Sequence, residues 1–380
     1  MAHDTLPSTE ATQPDTSGPV LLLSGLDSLY VCYYLDIAAS TLDIDDLAYR
    51  KEVLRRSSDP DLSSEIPLGD RNLTLKPYGR FPYTYILTNE WFEIRLSERL
   101  KPSCQVRFSS RVLWELGLDI ATQSFQSWCR SVGLQPDQPE IVTRADWAFD
   151  YWYPDFVIEP DWFVSKAKKS GIWREFEKPQ TISFGKSDTV VRIYDKYAEI
   201  REQSHKYWFF EKWGQTEDVW RIEFQARKER LRRHGIKSIE HLKKYQRALL
   251  VRLATQHTSL RRPTTDTNRS RWPYHDLWSG LLTQIRSLPG SNSPEILSDA
   301  DALSWKEYQQ VRVLDGMIKG LGATLAMRGQ LPRSFGFDDV FVKLPPRLRQ
   351  LHRKKNWRDD VDKKIQKLKE EGWRREKYVR

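Results

Sequence analysis

Three segments in the middle of the chain alternate polar and apolar residues with a period of two. They are IVTRADWAFDYW (141–152), TVVRIYDK (189–196) and DVWRIEFQAR (218–227). Successive side chains of a β-strand point to opposite faces, so each segment has one apolar face and one polar face. We therefore predict three strands, each with its apolar face towards a core.

The polar faces of these predicted strands combine cations with carboxylates, a carboxamide and a phenol. In chain order they carry Arg144, Asp146, Asp150, Arg192, Tyr194, Lys196, Arg221, Glu223, Gln225 and Arg227. A half-buried antiparallel sheet with one face in water would show the same alternation without any function. All three strands combine cations with acidic or other polar side chains on one face, and this repetition weakens that explanation. If the strands are neighbours, one sheet face gathers all of these groups.

The residue types on this face suit chemistry on a phosphodiester. Carboxylate and carboxamide oxygens are ligands for Mg²⁺ or Mn²⁺, and such an ion draws electron density from a phosphate. Tyr194 lies between Arg192 and Lys196 on its strand face. Nearby cations favour the phenolate form of a tyrosine, and a phenolate is a nucleophile for phosphoryl transfer. The pattern therefore predicts attack on a DNA phosphate by Tyr194.

Elsewhere the pattern switches between strand and helix periods, which predicts an α+β fold. Strands are predicted over 19–36 (as strand, turn, strand), 82–97 and 105–110. Helices are predicted over 41–60, 109–134 with a break near Gly117, 160–173, 227–262, 270–335 and 347–380. The expected fold is a mainly antiparallel sheet flanked by helices, followed by a helical basic C-terminal region.

The 380-residue chain has a formal net charge of +9, and this charge is unevenly distributed. Residues 1–120 carry 12 Lys/Arg against 18 Asp/Glu, whereas the remainder carries 49 against 34. A basic C-terminal two-thirds implies an anionic partner, and nucleic acid is the commonest one. The cations on the polar strand faces are candidate phosphate contacts, namely Arg144, Arg192, Lys196, Arg221 and Arg227. The basic residues that follow the third strand, Lys228, Arg230, Arg232 and Arg233, either contact phosphates or form a solvated helix face.

Composition also sets the predicted domain boundaries. Residues 1–18 are rich in Ser, Thr, Pro and Asp and are predicted to be disordered. The polar linker RRPTTDTNRSRWP (261–273) predicts a first domain over 19–263 and a helical basic region over 264–380. We see no signal peptide, and three scattered cysteines argue for a reducing compartment. FGKS (184–187) lacks the first glycine of a phosphate-binding loop, so a helicase activity would have to come from a partner.

Four segments in a fixed order resemble a known family. They are GLDSLYV (25–31), TRADWAFD (143–150), SFGKSDTVVRIYDKYAE (183–199) and WRIEFQAR (220–227). The most specific pattern is R-x-Y-[ND]-K-x-x-E, which is matched by Arg192, Tyr194, Asp195, Lys196 and Glu199. Over roughly residues 20 to 260 the chain resembles the Rep_trans replication initiation factors. These are rolling-circle initiators of plasmids, filamentous phages and integrative elements.

The resemblance implies an HUH-endonuclease-like fold with Tyr194 as the nucleophile. In that family the tyrosine nicks one strand of origin DNA, stays joined to the 5′ phosphate and leaves a 3′ hydroxyl. The resemblance also implies Asp146 and Glu223 as ligands of Mg²⁺ or Mn²⁺, with Gln225 or Asp150 as further candidates, and a structural role for Glu199. The related His-hydrophobe-His motif is absent, although Glu223 and Gln225 have the same spacing.

Two other functions fit the same residues. A conjugative relaxase of a mobile element uses the same chemistry, and a non-catalytic DNA-binding regulator could keep Tyr194 as a structural residue. The expected partners are origin DNA, as a single strand, cruciform or duplex, together with a host helicase and polymerase. A homodimer is left open, and no membrane partner is expected. We expect a cytoplasmic protein of a bacterial host, encoded by a plasmid, phage or integrative element.

Overall fold

The computed structural model describes residues 18–57, 59, 64–154, 156–175, 178–292, 299–352 and 356–370. Apart from Gly18, the segment predicted to be disordered lies outside these residues. The chain divides into two compact units, Met1–Glu295 and Ile296–Arg380. Within the described ranges, no helix combines the length and the apolar character that crossing a membrane requires.

The first unit contains a large sheet in which all neighbouring strands pair antiparallel. Its strands are β1 (Val20–Tyr33), β2 (Glu65–Leu68), β3 (Arg71–Leu75), β4 (Tyr85–Thr88), β5 (Phe92–Leu96), β6 (Cys104–Phe108), β7 (Ile141–Trp152), β9 (Ser170–Glu175), β10 (Lys178–Phe184), β11 (Thr189–Asp195) and β12 (Val219–Arg227). Their order is β2-β3-β4-β5-β6-β1-β7-β12-β11-β10-β9. β8 (Phe163–Ser165) and β13 (Thr258–Leu260) form a separate pair.

The helices of the first unit are α1 (Ile44–Arg56), α2 (Ser110–Glu115), α3 (Gly117–Ser131), α4 (Lys196–Glu199), α5 (Trp208–Trp213), α6 (Lys228–Arg233), α7 (Ile239–Arg252) and α8 (Asp276–Ser287). Side-chain caps explain several starting points: Asp43, Ser109 and Ser238 each accept a bond from a backbone N–H of the first turn. The predicted break near Gly117 is confirmed, because α2 ends there and Gly117 has a φ of +78°.

The three strands predicted from alternation are confirmed as β7, β11 and β12, and they are adjacent. Their apolar faces join the core, in which α3, α7 and α8 also bury side chains. Phe224 of β12, for example, lies 6.3 Å from Trp278 of α8 between ring centroids. Fully burying such a side chain stabilises the fold by roughly 1.5–3 kcal/mol. The predicted fold class, α+β with a mainly antiparallel sheet flanked by helices, is confirmed.

Three local predictions are wrong in whole or in part. The helix predicted over 227–262 ends before strand β13 (Thr258–Leu260), which pairs with β8. The predicted helix over 160–173 is instead a 3₁₀ turn (Pro160–Trp162) followed by β8 and the start of β9, because this segment pairs with β13 and β10. The predicted strand, turn and strand over 19–36 is one strand, β1. Ser24 and Gly25 are paired with Phe149 and Ala148 of β7, so the strand continues through them without a turn.

The first compact unit also extends further than the domain boundary predicted at residue 263. Helix α8 lies beyond that boundary, yet Leu277, Trp278, Leu281, Leu282 and Ile285 are buried in the main core. Their spacing places them on one face of the helix. The unit therefore ends at Glu295.

The second unit is helical in its described residues, as the sequence predicts. It contains α9 (Asp299–Met327), α10 (Phe337–Phe341), α11 (Leu344–His352) and α12 (Trp357–Glu370). A small apolar cluster of Ile318, Leu325 and Val340 joins α9 to α10. Residues 371–380 of the predicted C-terminal helix lie outside the described residues.

Candidate active site

The polar faces of β7, β12 and β11 meet on one face of the sheet. In the ladder, Gln225 is paired with Asp146 on β7, and Glu223 is paired with Arg192 on β11. This register brings together six polar side chains, which we call the open cluster: Arg144, Asp146, Arg192, Tyr194, Glu223 and Gln225. The sequence predicted all six.

Tyr194 is in direct contact with a carboxylate. Its side chain is largely buried, and its hydroxyl donates a hydrogen bond to Oε2 of Glu223 at 3.1 Å. Arg192 donates to the other oxygen of Glu223 at 2.6 Å. Burial, with a further contribution from the charge of Glu223, raises the pKa of Tyr194 well above its usual value. Tyr194 is therefore a protonated phenol that donates to Glu223.

This protonation state differs from the predicted phenolate. Lys196, which we expected to favour the phenolate, is buried and pairs with Glu199. Its ammonium lies 5.7 Å from the centroid of the Tyr194 ring. Burial lowers the pKa of Lys196 to about 8, so the charged form of this side chain is less stable than that of an exposed lysine. The cost of burying charge thus outweighs the attraction between the cation and the phenolate.

Asp146 is the second carboxylate of the open cluster. It is 3% exposed, and its two oxygens accept hydrogen bonds from Arg144 at 2.9 and 2.5 Å. Burial raises the pKa of Asp146 to about 6; Arg144 opposes this shift and the charge of Glu223 adds to it. Asp146 and Glu223 are therefore close enough to repel each other.

Three side chains of the open cluster could hold a divalent cation. Asp146 and Glu223 supply carboxylates, and the buried Gln225 supplies a carboxamide whose Nε2 has no hydrogen-bond partner. These donors suit Mg²⁺ or Mn²⁺, and a cation would relieve the repulsion between the carboxylates. In the described part of the chain, no three His, Cys, Asp or Glu residues converge on a metal position. The candidate set therefore depends on Gln225 as its third donor.

Asp150 belongs to a different group, which we call the closed cluster: Asp27, Asp150, Trp213 and Arg221. Asp150 accepts bonds from Arg221 at 2.6 and 2.7 Å and from Trp213 at 2.9 Å. Arg221 also donates to Asp27 at 2.9 Å. Burial would raise the pKa of Asp27, but Arg221 and Lys206 hold it well below its usual range.

Membership of the closed cluster corrects two predicted roles. Asp150 and Arg221 are fully buried, and each uses its charge on the other. Asp150 is therefore not available as a metal ligand, and Arg221 is not available to DNA. The same holds for the predicted phosphate contact of Lys196, because its ammonium is buried against Glu199. Glu199 also accepts a bond from Ser204, which fits its predicted structural role.

The other predicted phosphate-binding cations remain at least partly accessible. Arg144 and Arg192 are partly exposed on the sheet face, and Arg227 is exposed at the end of β12. The four basic residues of α6, namely Lys228, Arg230, Arg232 and Arg233, are half-buried. Arg230 pairs with Asp188 and donates to Thr189. Their role in DNA binding stays a prediction.

Sequence reasoning missed Asp27 and Trp213. Strict alternation along β1 places Asp27 on the apolar side with Leu29. The register of β1 shifts between Leu26 and Ser28, and this bulge lets Asp27 reach Arg221 on β12. The segment GLDSLYV contains Asp27, so the resemblance offered a signal that alternation alone did not.

No family model and no curated protein matches the chain. Among solved structures, the chain is similar to a rolling circle replication initiator protein from Geobacillus stearothermophilus. The two share 16% sequence identity with a TM-score of 0.39, over 73% of this chain and 100% of that chain.

Proposed function

We propose that the chain is a rolling-circle replication initiator that nicks one DNA strand at an origin by metal-dependent tyrosine transesterification. The observation that carries this proposal is the hydrogen bond from the Tyr194 hydroxyl to Glu223. A phenol with a high pKa needs a base within hydrogen-bond reach before it can act as a nucleophile. Glu223 meets that condition from the neighbouring strand.

In the proposed reaction, the Tyr194 oxygen attacks the phosphorus of the scissile phosphodiester while Glu223 accepts the phenolic proton. The bond from phosphorus to the 3′ oxygen breaks, and that oxygen takes a proton from water. The products are a 5′-phosphotyrosine link and a free 3′ hydroxyl. A host polymerase would extend the 3′ hydroxyl, and a host helicase would separate the strands.

The arginines of the open cluster would couple DNA binding to metal binding. Without DNA, Arg144 and Arg192 hold the carboxylates of Asp146 and Glu223. DNA phosphates compete for the same guanidinium groups, because Arg forms bidentate bonds with both kinds of anion. Carboxylate oxygens released in this way would bind Mg²⁺ or Mn²⁺ together with Gln225. The bound ion would supply electron withdrawal from the scissile phosphate.

A non-catalytic DNA-binding regulator is the second candidate function. It is favoured by the ion pairing of both carboxylates and by the low exposure of Tyr194, which is 9%. A conjugative relaxase would use the same site chemistry as an initiator. The difference between replication and transfer lies in the DNA and partner proteins rather than in this site.

The test is a covalent adduct. End-labelled oligonucleotides that tile the DNA around the coding gene are incubated with the protein and Mn²⁺, then separated on a denaturing gel. We expect one oligonucleotide to give a cleaved product and a slow-migrating adduct, with the modified peptide containing Tyr194. Origin binding without any adduct would favour the regulator, and full cleavage in EDTA would rule out the metal requirement.

A further inference from the structure

Tyr30 lies on the same polar face as the open cluster, one strand beyond β7. In the ladders of β1, Tyr30 is paired with Arg107 on β6 and with Arg144 on β7. The guanidinium carbons of Arg144, Arg95 and Arg107 lie 5.2, 5.6 and 5.9 Å from the centroid of its ring. We call these four residues the Tyr30 cluster.

The three arginines of the Tyr30 cluster differ in their counter-charges. Arg95 pairs with Glu93, and Arg144 pairs with Asp146. Arg107 has no ion pair within the described ranges, and its Nε is buried without a hydrogen-bond partner. A half-buried guanidinium with an unsatisfied donor is costly unless an anion binds it. Arg107 is thus suited to hold an anionic ligand on this face.

Arg107 also lines a cavity of about 240 Å³. Lys206 and Arg111 add two more cations to its wall, Trp208 adds an aromatic ring, and Glu90 and Glu93 add two carboxylates. Lys206 and Trp208 come just after the helical segment 196–204, which extends from the Tyr194 strand. The cavity is therefore formed partly by the chain segment that leads away from the candidate nucleophile.

We propose that Tyr30, Arg107 and this cavity bind one nucleotide of the single strand that continues from the scissile phosphate. Arg107 and Lys206 would hold the phosphate, and the aromatic rings of Tyr30 and Trp208 would contact the base. A base is accessible to such rings only in unpaired DNA, and stacking of this kind accepts any sequence. Three strand spacings, about 14 Å, separate β1 from β11 across the sheet. This inference rests on the proposed function, because it assumes that the open cluster binds DNA.

Affinity for DNA tests the inference without requiring cleavage. In a Tyr194→Phe background, fluorescence anisotropy would measure binding of labelled oligothymidylate over a range of salt concentrations. We expect Arg107→Gln to weaken binding about tenfold and to lower the salt slope by about 0.7, the loss of one phosphate contact on a single strand. Tyr30→Leu should weaken binding by about 5- to 150-fold with an unchanged slope.

Two controls separate a nucleotide site from general effects. Arg50→Gln removes the same charge from an exposed ion pair on α1, and it should leave affinity unchanged. Tyr30→Phe keeps the ring and should bind like the parent even if Tyr30→Leu fails to fold. Photocrosslinking with 5-iodouracil DNA, mapped by mass spectrometry, should modify Tyr30 or Trp208.

Unchanged single-strand affinity in Arg107→Gln and Tyr30→Leu, with crosslinks elsewhere, would overturn the inference. Equal losses on duplex and single-stranded DNA would overturn the unpaired-base assignment. The outcome is distinguishable from failure of the proposed function. Adduct formation by the chain with Tyr194 intact, together with unaltered binding in both variants, rejects the inference alone. Binding losses in the variants, together with no adduct from the chain with Tyr194 intact, reject the nicking reaction alone.

Discussion

Asp146 and Asp150 lie four residues apart on the same face of β7, yet they have opposite surroundings. Asp150 is fully buried and bonded by Arg221 and Trp213 on both of its oxygens. Asp146 is bonded by one partly exposed arginine and lies near the charge of Glu223. The closed cluster therefore holds its charges in fixed mutual pairs. The open cluster holds carboxylates whose arginine partners are within reach of water and of an incoming phosphate.

The two clusters should have different roles because their charges differ in burial and pairing. A buried ion pair that loses one partner leaves an uncompensated charge, so the closed cluster should mainly determine stability. A partly exposed pair exchanges its partner at low cost, so the open cluster should mainly determine activity.

The largest expected effect is on activity. Tyr194→Phe keeps the ring and removes only the hydroxyl that contacts Glu223. Nicking should fall on the order of a thousandfold or more, because the variant lacks the oxygen that forms the proposed covalent link. A denaturing gel for the adduct and a thermal melt for folding measure the two effects separately.

Tyr197→Phe is the matched control for this change. Tyr197 follows the candidate nucleophile by three residues and accepts a bond from Arg201. We expect normal nicking in this variant. If Tyr197→Phe abolishes the adduct and Tyr194→Phe does not, the nucleophile has been assigned to the wrong tyrosine.

The next largest effect is on stability. Arg221→Met should lower the free energy of unfolding by about 3–5 kcal/mol, because Asp150 and Asp27 would lose their buried counter-charge. Arg192→Met in the open cluster should cost roughly 1 kcal/mol or less, because water reaches this pair. Denaturant unfolding measures both changes. Equal losses would contradict the division between the clusters.

Asp146→Asn and Glu223→Gln should each lower nicking on the order of a hundredfold while leaving the protein folded. Both changes preserve shape and remove a charge from the candidate metal set. Isothermal titration with Mn²⁺ should show weaker metal binding in each variant. Asp150→Asn provides the contrast, since it should destabilise the fold without a specific loss of metal affinity.

The smallest effect concerns His234, a buried imidazole whose Nε2 has no hydrogen-bond partner among the residues that the structure describes. Burial lowers the pKa of His234 to about 4, below the usual value of 6.5, so the folded state binds fewer protons than the unfolded state. Stability should therefore decrease as the pH falls through this range. Between pH 6.5 and 5.5 the contribution of His234 is about 1 kcal/mol.

His234→Gln should remove this part of the pH dependence, as measured by denaturant unfolding at both pH values. His205→Asn is the control, because His205 is exposed and Asn tolerates its left-handed backbone, with φ of 53°. If His234→Gln keeps the full pH slope, burial of this imidazole is not the cause.

Alternation in the sequence was sufficient to find β7, β11 and β12, and their polar faces contain every residue of the open cluster. It could not separate Asp146 from Asp150, since both have the same spacing on the same strand. Their different surroundings depend on Arg221 from another strand and Trp213 from a helix, at large separations along the chain. Likewise, the protonated state of Tyr194 follows from burial, which local sequence does not reveal.

The errors in the predicted fold have a similar origin. The segment 160–173 has residues that allow a helix, but pairing with β10 and β13 places half of it in strands. Helix α8 was placed beyond the domain boundary because a polar linker precedes it. Its buried face joins the core through contacts that only the tertiary structure defines. In both cases long-range packing overrides the local pattern.

The bulge at Asp27 marks a position at which strand β1 can change in length. Leu26 is paired with Trp147 and Ser28 with Asp146, so Asp27 is the one extra residue between two adjacent pairs. Leu22 is the same kind of extra residue, between Leu21 and Leu23. Removing a residue from a regularly paired stretch would instead exchange the inner and outer faces. Removing Asp27 would leave both faces in place, and it would take away one counter-charge of Arg221 and the acceptor of bonds from Ser110 and Trp114. Sequences with this strand can therefore lose a residue at that point, at the expense of stability but not of topology.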